Sequence, residues 1–220
     1  MRSCPTCFVP YAEQVEFCGL DGTKLVFGET DLLLGKNLER YRILDVVGDG
    51  GMARVYRARH ETLDREYALK VLYGEVASNK TLAERFRREA KTMSKISHEN
   101  VVSVVDYGTT TAGLTFLSME LIEGETLRTL IKRMGRLPAP RAAGIARQIA
   151  FGLTAAHRRG FVHRDLKPSN VMLVPREGGG MVKLLDFGLA RAAEIDHEVG
   201  FLTKTGQFVG TPIYMAPEQI

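Results

Sequence analysis

Apolar and polar residues repeat with two different periodicities in the first half of the chain, one typical of strands and one typical of a helix. Residues 41–47 alternate apolar and polar side chains, which predicts a β-strand, and two further strands are predicted over 55–59 and 66–72. Thr81 and Glu84 form a capping-box start, after which apolar side chains repeat at helical spacing: Leu82, Phe86, Ala90 and Met93. This half therefore predicts strands followed by a helix.

The second half begins with a longer predicted helix and continues with two short strands. The helix, over 140–159, is predicted by an apolar series, and Gly160 suits its carboxyl end: Ile145, Ile149, Leu153 and Ala156. Strands are predicted over 171–174 and 182–185, with a glycine-rich turn between them. The two strands form a hairpin whose loop ends adjoin.

Three glycines, Gly48, Gly50 and Gly51, lie between the first two predicted strands. This position excludes the dinucleotide-binding fingerprint, because that motif needs a helix directly after its glycines. Glycines would let backbone N–H groups approach the oxygens of a phosphate chain. A plain glycine hairpin explains the same residues equally well.

A single lysine, Lys70, interrupts the apolar third strand, where it shares a face with Ala68. Glu89 lies at the edge of the apolar stripe of the following helix. A carboxylate at the edge of a buried face needs a cation, so we predict that Glu89 pairs with Lys70. Such a pair would place the ammonium within reach of two nucleotide phosphates.

Four polar residues stand at the loop ends around the hairpin of the second half: Asp165, Lys167, Asn170 and Asp186. Carboxylates, an amide and an ammonium are the groups that metal-assisted phosphoryl transfer requires. The sequence therefore predicts this chemistry at these loop ends.

Composition places the 220-residue chain among globular proteins, with 45% hydrophobic and 25% charged residues. No apolar run approaches the roughly 18 residues of a membrane-spanning helix, and no secretory signal is present, which predicts a cytoplasmic protein.

The net charge of +4 does not by itself indicate nucleic acid, and none is expected as a partner. Residues 128–164 are basic without a carboxylate, typical of a solvated face or of a site for an acidic partner.

All three cysteines lie in the first 18 residues. An odd number in a reducing compartment argues against disulfides. The turn Cys4-x-x-Cys7 and the later turn Cys18-x-x-Asp21 together offer four ligands for tetrahedral zinc, with a carboxylate in place of a fourth cysteine. Residues 1–25 thus resemble a small zinc ribbon, and 26–40 are predicted to be a connector. Ordinary turns with reduced thiols are the alternative.

Five motifs follow one another in the order found in protein kinases: the glycine loop, Ala68-Leu-Lys70, His163-Arg-Asp165, Asp186-Phe-Gly188 and Ala216-Pro-Glu218. On these motifs, residues 41–220 resemble the eukaryotic-type (Hanks-type) bacterial serine/threonine protein kinases. The resemblance implies an α+β, two-lobed kinase fold. The N-lobe, over 41–122, would hold an antiparallel sheet and a helix, and 123–220 would be a mainly helical, incomplete C-lobe.

The resemblance implies a role for each polar residue of the second half. Asp165 would accept the proton of the substrate hydroxyl, and Lys167 would stabilise charge on the transferring phosphoryl group. Asn170 and Asp186 would hold Mg²⁺. The implied reaction is transfer of the γ-phosphate of ATP.

The resemblance also implies an ATP site. Lys70, braced by Glu89, would position the α- and β-phosphates beneath a loop formed by Gly48, Asp49, Gly50, Gly51, Met52, Ala53, Arg54 and Val55. The adenine slot and its hinge would comprise Val47, Val55, Ala68, Met172, Met119, Glu120 and Ile122. Ala53 stands where the family usually has a third glycine, which predicts a stiffer loop with ATP binding retained.

Residues 165–170 and 210–214 resemble the serine/threonine-specific kinases and differ from the tyrosine-specific ones. Protein substrates with Ser or Thr hydroxyls are therefore implied. Thr211 would contact Asp165 and help to form the substrate shelf, although a simple turn threonine is the alternative.

Arg164, beside Asp165, implies control by phosphorylation, because an arginine next to the base can pair with a phosphorylated activation loop. Thr203 and Thr205 are the predicted autophosphorylation sites. Polar residues of a mobile loop are the alternative.

Two other functional classes remain open. One is a truncated, inactive nucleotide-binding scaffold, and the other is a zinc-dependent interaction module in which residues 1–25 recruit a partner. The family continues beyond Ala216-Pro-Glu218 with further helices, so we expect this chain to be a fragment, poorly stable and weakly active or inactive on its own.

Overall fold

The computed structural model describes residues 2–6, 10–11, 13–27, 31–50, 53–72, 80–111, 113–176, 180–187 and 212–214. The chain divides into two compact units. The first comprises Met1–Ser94 and Val104–Leu121, and the second comprises Lys95–Ser103 and Ile122–Ile220. Among the described residues, no helix has the length and apolar character needed to cross a membrane.

The amino-terminal segment, residues 2–27, belongs to the first unit and forms a small antiparallel sheet in the order β2-β1-β3. Its strands are two residues long: β1 Arg2–Ser3, β2 Pro10–Tyr11 and β3 Val26–Phe27. A bridge between Phe17 and Lys24 closes the turn between β2 and β3. Strands this short require support from neighbouring structure.

The first unit is built on a six-stranded antiparallel sheet in the order β4-β5-β6-β7-β9-β8. Its strands are β4 Asn37–Leu38, β5 Tyr41–Asp49, β6 Ala53–His60, β7 Arg65–Leu72, β8 Val104–Thr109 and β9 Thr115–Glu120. The strands predicted over 41–47, 55–59 and 66–72 are confirmed as β5, β6 and β7. β5 continues to Asp49 because Gly48 and Asp49 still pair with β6.

The register of this sheet defines two faces, since residues directly opposite each other in an antiparallel pair share a face. On one face Lys70 lies between Val55 and Leu117, and we term it the Lys70 face. On the other, Tyr56 lies opposite Leu69, and we term it the Tyr56 face.

The amino-terminal segment and the Tyr56 face share one buried hydrophobic cluster. The segment contributes four buried residues: Cys4, Tyr11, Cys18 and Leu25. The large sheet contributes among others Tyr41, Ile43, Tyr56, Leu69 and Phe116. The short strands of the segment are therefore supported by the core of the larger sheet.

Residues 31–40, within the predicted connector, are packed into this unit. Leu33 and Leu38 are 1% and 4% exposed and belong to the same cluster. β4 pairs with β5 and so adds an edge strand to the sheet. Because only two apolar residues anchor this stretch, no periodicity revealed it.

One helix, α1 Lys80–Met93, completes the first unit. Phe86, Ala90 and Met93 are buried, which confirms the predicted apolar stripe. The Phe86 ring lies 6.0 Å from that of Tyr107 on β8. The helix begins one residue before Thr81, so Thr81 lies inside the helix and does not precede it as the predicted cap would.

Within its described residues, the second unit combines two α-helices with a three-stranded antiparallel sheet in the order β10-β11-β12. Its elements are β10 Glu125–Thr126, α2 Leu127–Met134, α3 Ala139–His157, β11 Val171–Val174 and β12 Met181–Leu184. The predicted long helix and hairpin are thus confirmed with ends that differ by one or two residues. Gly160, past the end of α3, has a φ of +71°, which favours glycine.

Asn100 connects the stretch 95–103 to the hairpin of the second unit. Its side-chain amide donates to the carbonyl of Val182 (2.8 Å), and its own carbonyl accepts from the amide of Leu184 (2.9 Å). Gly152 of α3 packs against this junction so closely that a Cβ would lie 2.9 Å from the Asn100 carbonyl oxygen. α3 therefore packs closely against β12 and the Asn100 stretch at this point.

Candidate active site

The loop between α3 and β11 brings two of the predicted polar residues into contact with the carboxylate of a third. The Lys167 ammonium lies 2.7 Å from Oδ2 of Asp165. The Asn170 amide donates to the same Oδ2 (3.1 Å) and to the Asp165 carbonyl (2.8 Å). Two neighbours thus fix the Asp165 carboxylate, while its side chain stays 28% exposed and open to a substrate.

Asn170 and Asp186 lie at the same end of the β11–β12 hairpin. Val171 pairs with Leu184, and the amide of Leu185 donates to the carbonyl of Asn170 at 2.8 Å. Because the Asn170 amide nitrogen is engaged with Asp165, its side-chain oxygen remains as the group for a hard cation. An amide oxygen beside a carboxylate suits Mg²⁺.

His163 anchors this end of the hairpin and did not figure among the predicted site residues. Its Nε2–H donates to the carbonyl of Leu185 (3.0 Å), and its ring lies 4.5 Å from the ring of the buried Phe187. Burial lowers the pKa of His163 from its ordinary value, against the opposing effect of the Leu185 carbonyl. The imidazole is therefore a neutral group that positions the residues before and after Asp186.

Two residues of the site have left-handed backbone conformations that side chains seldom adopt. Arg164 has a φ of +60° and Asp186 a φ of +47°. Such conformations cost of order 1–3 kcal/mol and persist only where the surroundings impose them. Here the hydrogen bonds of His163 and Asn170 hold the flanking backbone. Arg164 itself is exposed, as pairing with an external phosphate would require.

In the first unit, the Lys70 face carries the lysine predicted to bind nucleotide phosphates. Lys70 is 7% exposed and lies opposite Val55 and Leu117, while Ala68 lies opposite Met119. Glu89 is half-buried on α1 of the same unit. The ion pair between Lys70 and Glu89 stays a prediction.

The structure describes the glycine-rich turn between β5 and β6 up to Gly50 and again from Ala53. The amide of Gly50 donates to the carbonyl of Ala53 (3.1 Å), which closes the turn. Val47 lies in a bulge of β5 and is half-exposed. Gly51 and Met52, at the tip, lie outside the described residues.

Arg54, one of the predicted loop residues, lies on the opposite face from its neighbour Val55. Its guanidinium is bonded to Asp31 (2.8 Å) and to Asp49. Burial alone would lower the pKa of Arg54, but the bonds to the two carboxylates outweigh it and the pKa is raised. The Arg54 side chain therefore fixes the Tyr56 face and is not directed toward the Lys70 face.

Asp31 completes this buried network and had no signal in the sequence. Its Oδ2 also accepts from the hydroxyl of Tyr56 (2.6 Å), and its Oδ1 accepts from the amide of Leu33 (2.9 Å). Burial, together with the bond to Asp31, raises the pKa of Tyr56. One carboxylate from the predicted connector thus holds two side chains of β6.

The other predicted residues fall into two groups. Half-buried side chains are found at three nucleotide-site positions: Glu120, Ile122 and Met172. Positions outside the described residues are Cys7, Thr203, Thr205, Thr211 and the Ala216-Pro-Glu218 motif. In the amino-terminal segment, the structure brings Cys4, Cys18 and Asp21 together.

Comparison with known proteins identifies the family. The sequence model of the protein kinase domain matches residues 41–220. The chain belongs to the protein kinase family. This membership confirms the predicted kinase fold, which rested on the order of the five motifs.

Named relatives agree with this membership. The serine/threonine-protein kinase pkn3 of Myxococcus xanthus is 40% identical over 193 residues, which are 87% of this chain and 35% of that protein. PknA of Mycobacterium tuberculosis, also a serine/threonine-protein kinase, is 40% identical over 184 residues, covering 82% of this chain and 41% of that protein. The chain therefore spans less than half the length of these relatives.

Solved structures show the same fold. The kinase domain of PknI from Mycobacterium tuberculosis aligns with a TM-score of 0.63 at 29% identity, covering 72% of this chain and 62% of that one. A second crystal structure of that domain aligns with a TM-score of 0.61 at 28% identity and covers 72% and 63%.

Proposed function

We propose that this chain is the catalytic part of a protein serine/threonine kinase that transfers the γ-phosphate of ATP to Ser and Thr hydroxyls of proteins. The observation that carries the proposal is the Asp165 carboxylate, held by Lys167 at 2.7 Å and by Asn170 at 3.1 Å while still partly open to solvent. A carboxylate fixed in this way can orient a hydroxyl and accept its proton.

Each polar residue of the second unit has a task in this proposal. Asp165 accepts the proton of the attacking hydroxyl, and Lys167 beside it stabilises charge on the transferring phosphoryl group. Asn170 and Asp186, which share one end of the hairpin, hold Mg²⁺, which when bound neutralises phosphate charge. Positioning and charge stabilisation thus supply the rate enhancement.

The first unit supplies nucleotide binding in this proposal. Lys70, supported by Glu89, pairs with the α- and β-phosphates, and the backbone of the turn that includes Gly50 accommodates the phosphate chain. The apolar side chains on the Lys70 face, with the hinge and Met172, accept adenine: Val47, Val55, Ala68, Met119, Glu120 and Ile122. Neutralising Lys70 in its buried setting by phosphate oxygens is favourable because a buried ammonium needs anionic partners.

Substrate choice and regulation extend the proposal to residues outside the described ranges. Thr211 supports the substrate hydroxyl beside Asp165. Phosphorylated Thr203 or Thr205 is bound by Arg164, an exposed residue beside Asp165.

The proposal is tested with the 220-residue chain, labelled ATP, Mg²⁺ and a generic basic protein. We expect weak but measurable labelling of Ser and Thr of the acceptor, in keeping with the low activity predicted for this chain on its own, and Asp165→Asn should reduce that rate by about 10²–10⁴-fold, as loss of a general base does. Nucleotide affinity should be unchanged in Asp165→Asn. The matched control, Asp64→Asn, alters an exposed aspartate of the β6–β7 turn and should keep wild-type activity.

The second candidate function, a nucleotide-binding scaffold, predicts a different outcome of the same experiment. If the wild-type chain binds ATP and transfers no phosphate, the kinase proposal is wrong and the scaffold is favoured. The positions of Asp165, Lys167 and Asn170 favour the kinase, since a scaffold does not need a fixed carboxylate. None of the candidate zinc ligands is among the residues proposed to transfer phosphate, so the proposed reaction does not depend on zinc.

A further inference from the structure

The amino-terminal segment brings three metal-binding side chains to one point, and none of them belongs to the residues assigned to phosphate transfer. One ligand atom each of Cys4, Cys18 and Asp21 lies within 4.8 Å of the others. The Cys4 sulfur is 3.4 Å from Oδ2 of Asp21 and 3.6 Å from Oδ1. Zn–S bonds of about 2.3 Å and Zn–O bonds of about 2.0–2.2 Å, at a tetrahedral angle, place sulfur and oxygen roughly 3.5 Å apart. The spacing therefore fits two ligands of one ion.

Both sulfurs are placed to accept hydrogen bonds from the backbone. The amide of Thr6 donates to the sulfur of Cys4, and the amide of Leu20 donates to the sulfur of Cys18, each at 3.4 Å. In both cases the donor is the second residue after the cysteine. Backbone amides that donate to sulfur are typical of the surroundings of a metal-binding cysteine.

The hydroxyl of Tyr11 provides a further contact behind Cys18. Its oxygen accepts from the amide of Gly19 at 3.1 Å and lies 3.1 Å from the sulfur of Cys18. Since its oxygen already accepts a hydrogen bond, the phenolic hydrogen can be donated to a thiolate. Polar groups that orient a ligand from behind in this way accompany most protein metal sites.

The sequence spacing, which is the same in both turns, offers a fourth ligand. Asp21 is the third residue after Cys18, as Cys7 is the third residue after Cys4. Cys7 lies outside the described residues, so its place rests on this spacing alone. Three thiolates and one carboxylate in a tetrahedral set favour zinc over magnesium or calcium, which require oxygen ligands.

The burial of the cysteines shows what an ion would do here. Cys4 and Cys18 are 0% and 4% exposed and belong to the cluster that includes Tyr41 and Ile43 of β5. Leu20 of the second turn lies near the β8–β9 hairpin, since a Cβ on Gly113 would be 3.6 Å from its side chain. An ion that joins the two turns therefore fixes the layer of residues that covers the Tyr56 face.

We propose that Cys4, Cys7, Cys18 and Asp21 bind one zinc ion, which fixes the amino-terminal segment on the Tyr56 face of the kinase sheet. The ion is structural, and its ligands are deprotonated when it binds. The site does not rest on the kinase proposal, because none of its ligands takes part in phosphate transfer.

The first experiment measures metal content and ligand identity in the whole 220-residue chain. We expect one zinc per chain after desalting, and the visible spectrum of tetrahedral thiolate cobalt when Co²⁺ replaces it. Asp21→Asn should weaken zinc retention against a competing chelator by more than about 10–100-fold, the range seen even for residues behind a ligand. Asp21→Cys, which completes four thiolates, should strengthen retention, and Asp64→Asn should match wild type.

Two results would overturn the site. A chain that is folded by circular dichroism yet retains no zinc and gives no cobalt spectrum lacks the site altogether. Wild-type retention in Asp21→Asn removes Asp21 from the ligand set. Because these readouts do not involve ATP, they are independent of whether the chain transfers phosphate.

The second experiment tests the structural role by hydrogen exchange with zinc and after chelation, in the absence of nucleotide. We expect amides of β5 and β6 to lose protection on chelation, while amides of α3 and β12 in the second unit keep theirs. The Cys4→Ser, Cys18→Ser double variant should resemble the chelated chain whether or not zinc is added. Unchanged protection throughout β5 and β6 would show that the ion does not fix this face.

Discussion

At the scale of single residues, the site depends on groups that hold other groups in place. His163 illustrates this, since its ring touches Phe187 and its Nε2–H reaches the carbonyl of Leu185, one residue before Asp186. Burial favours the neutral imidazole, because the ring is removed from the water that would hydrate its charge. Proton binding to His163 is therefore coupled to folding.

This coupling gives the stability of the chain a defined pH dependence. His163 in the unfolded chain binds a proton near its ordinary pKa of about 6.5, whereas the folded value is lower. Its contribution is therefore fully present above about pH 6.5 and declines as the pH falls toward the folded pKa, with a slope of at most about 1.4 kcal/mol per pH unit. Denaturant unfolding at several pH values measures the slope, which should be smaller in His163→Phe. His157→Gln, at an exposed position of α3, should keep the wild-type slope.

Asp31 is a second residue that holds other groups in place, and no sequence pattern indicated this role. Its carboxylate is buried with the Arg54 guanidinium at 2.8 Å and the Tyr56 hydroxyl at 2.6 Å. Removing Asp31 leaves the buried Arg54 with only the half-exposed Asp49 carboxylate and takes away the acceptor of the Tyr56 hydroxyl. Loss of one partner from a buried charged network typically costs about 3–5 kcal/mol. We expect Asp31→Ala to lower the free energy of unfolding by this amount, measured by denaturant titration.

Its control comes from an exposed ion pair on the same sheet. Asp45→Ala removes the carboxylate that pairs with Arg57, and both side chains there are about half exposed. Exposed pairs contribute roughly 0–1 kcal/mol. Equal losses for Asp31→Ala and Asp45→Ala would contradict the assignment of a buried network.

At the scale of elements, periodicity in the sequence predicted strands β5 to β7, helix α1, helix α3 and the β11–β12 hairpin. These elements each bury a repeating set of apolar side chains, such as Phe86, Ala90 and Met93, and repetition is what a sequence displays. The stretch 31–40 was not predicted as an edge strand because Leu33 and Leu38 are five residues apart and match neither period.

Within the candidate site, residues joined by a hairpin were predicted together, whereas a contact to a distant segment was not. Asp165, Lys167, Asn170 and Asp186 adjoin because a hairpin joins their loops, and hairpin ends can be placed from turn and strand signals. The sequence named Arg54 only as a residue of the loop and did not reveal that its side chain bonds to Asp31, 23 residues earlier. Contacts between distant residues of irregular segments have no local pattern.

The packing of α3 against the hairpin gives a prediction with a control on the same helix. A Cβ at Gly152 would lie 2.8 Å from the Leu184 side chain and 2.9 Å from the Asn100 carbonyl, and backbone there cannot yield without disturbing β12. We expect Gly152→Ala to cost about 1–3 kcal/mol of unfolding free energy, as overpacking does. Gly144→Ala, also on α3 but with open space around it, should be neutral or stabilising by up to about 1 kcal/mol. A thermal unfolding series of the two variants compares them, and a stable Gly152→Ala would contradict this packing.

At the scale of the whole molecule, the two units bury different kinds of residue in their cores. The first unit joins the amino-terminal segment, the stretch 31–40 and the kinase sheet through one aromatic-rich cluster. The second unit is centred on α3, β12 and the residues around His163, and holds the carboxylates of the reaction. In the proposed function, the first unit binds nucleotide phosphates and the second carries the transfer chemistry.

The aromatic composition of the first core gives the molecule a built-in optical reporter. The chain has no tryptophan, and six of its seven tyrosines fall within Met1–Ser94 and Val104–Leu121. Four of them, Tyr11, Tyr41, Tyr56 and Tyr67, are buried in the cluster. Intrinsic ultraviolet fluorescence of the unlabelled protein therefore reports almost entirely on one of its two units, and a change in that emission reveals the state of the sheet without a probe being attached.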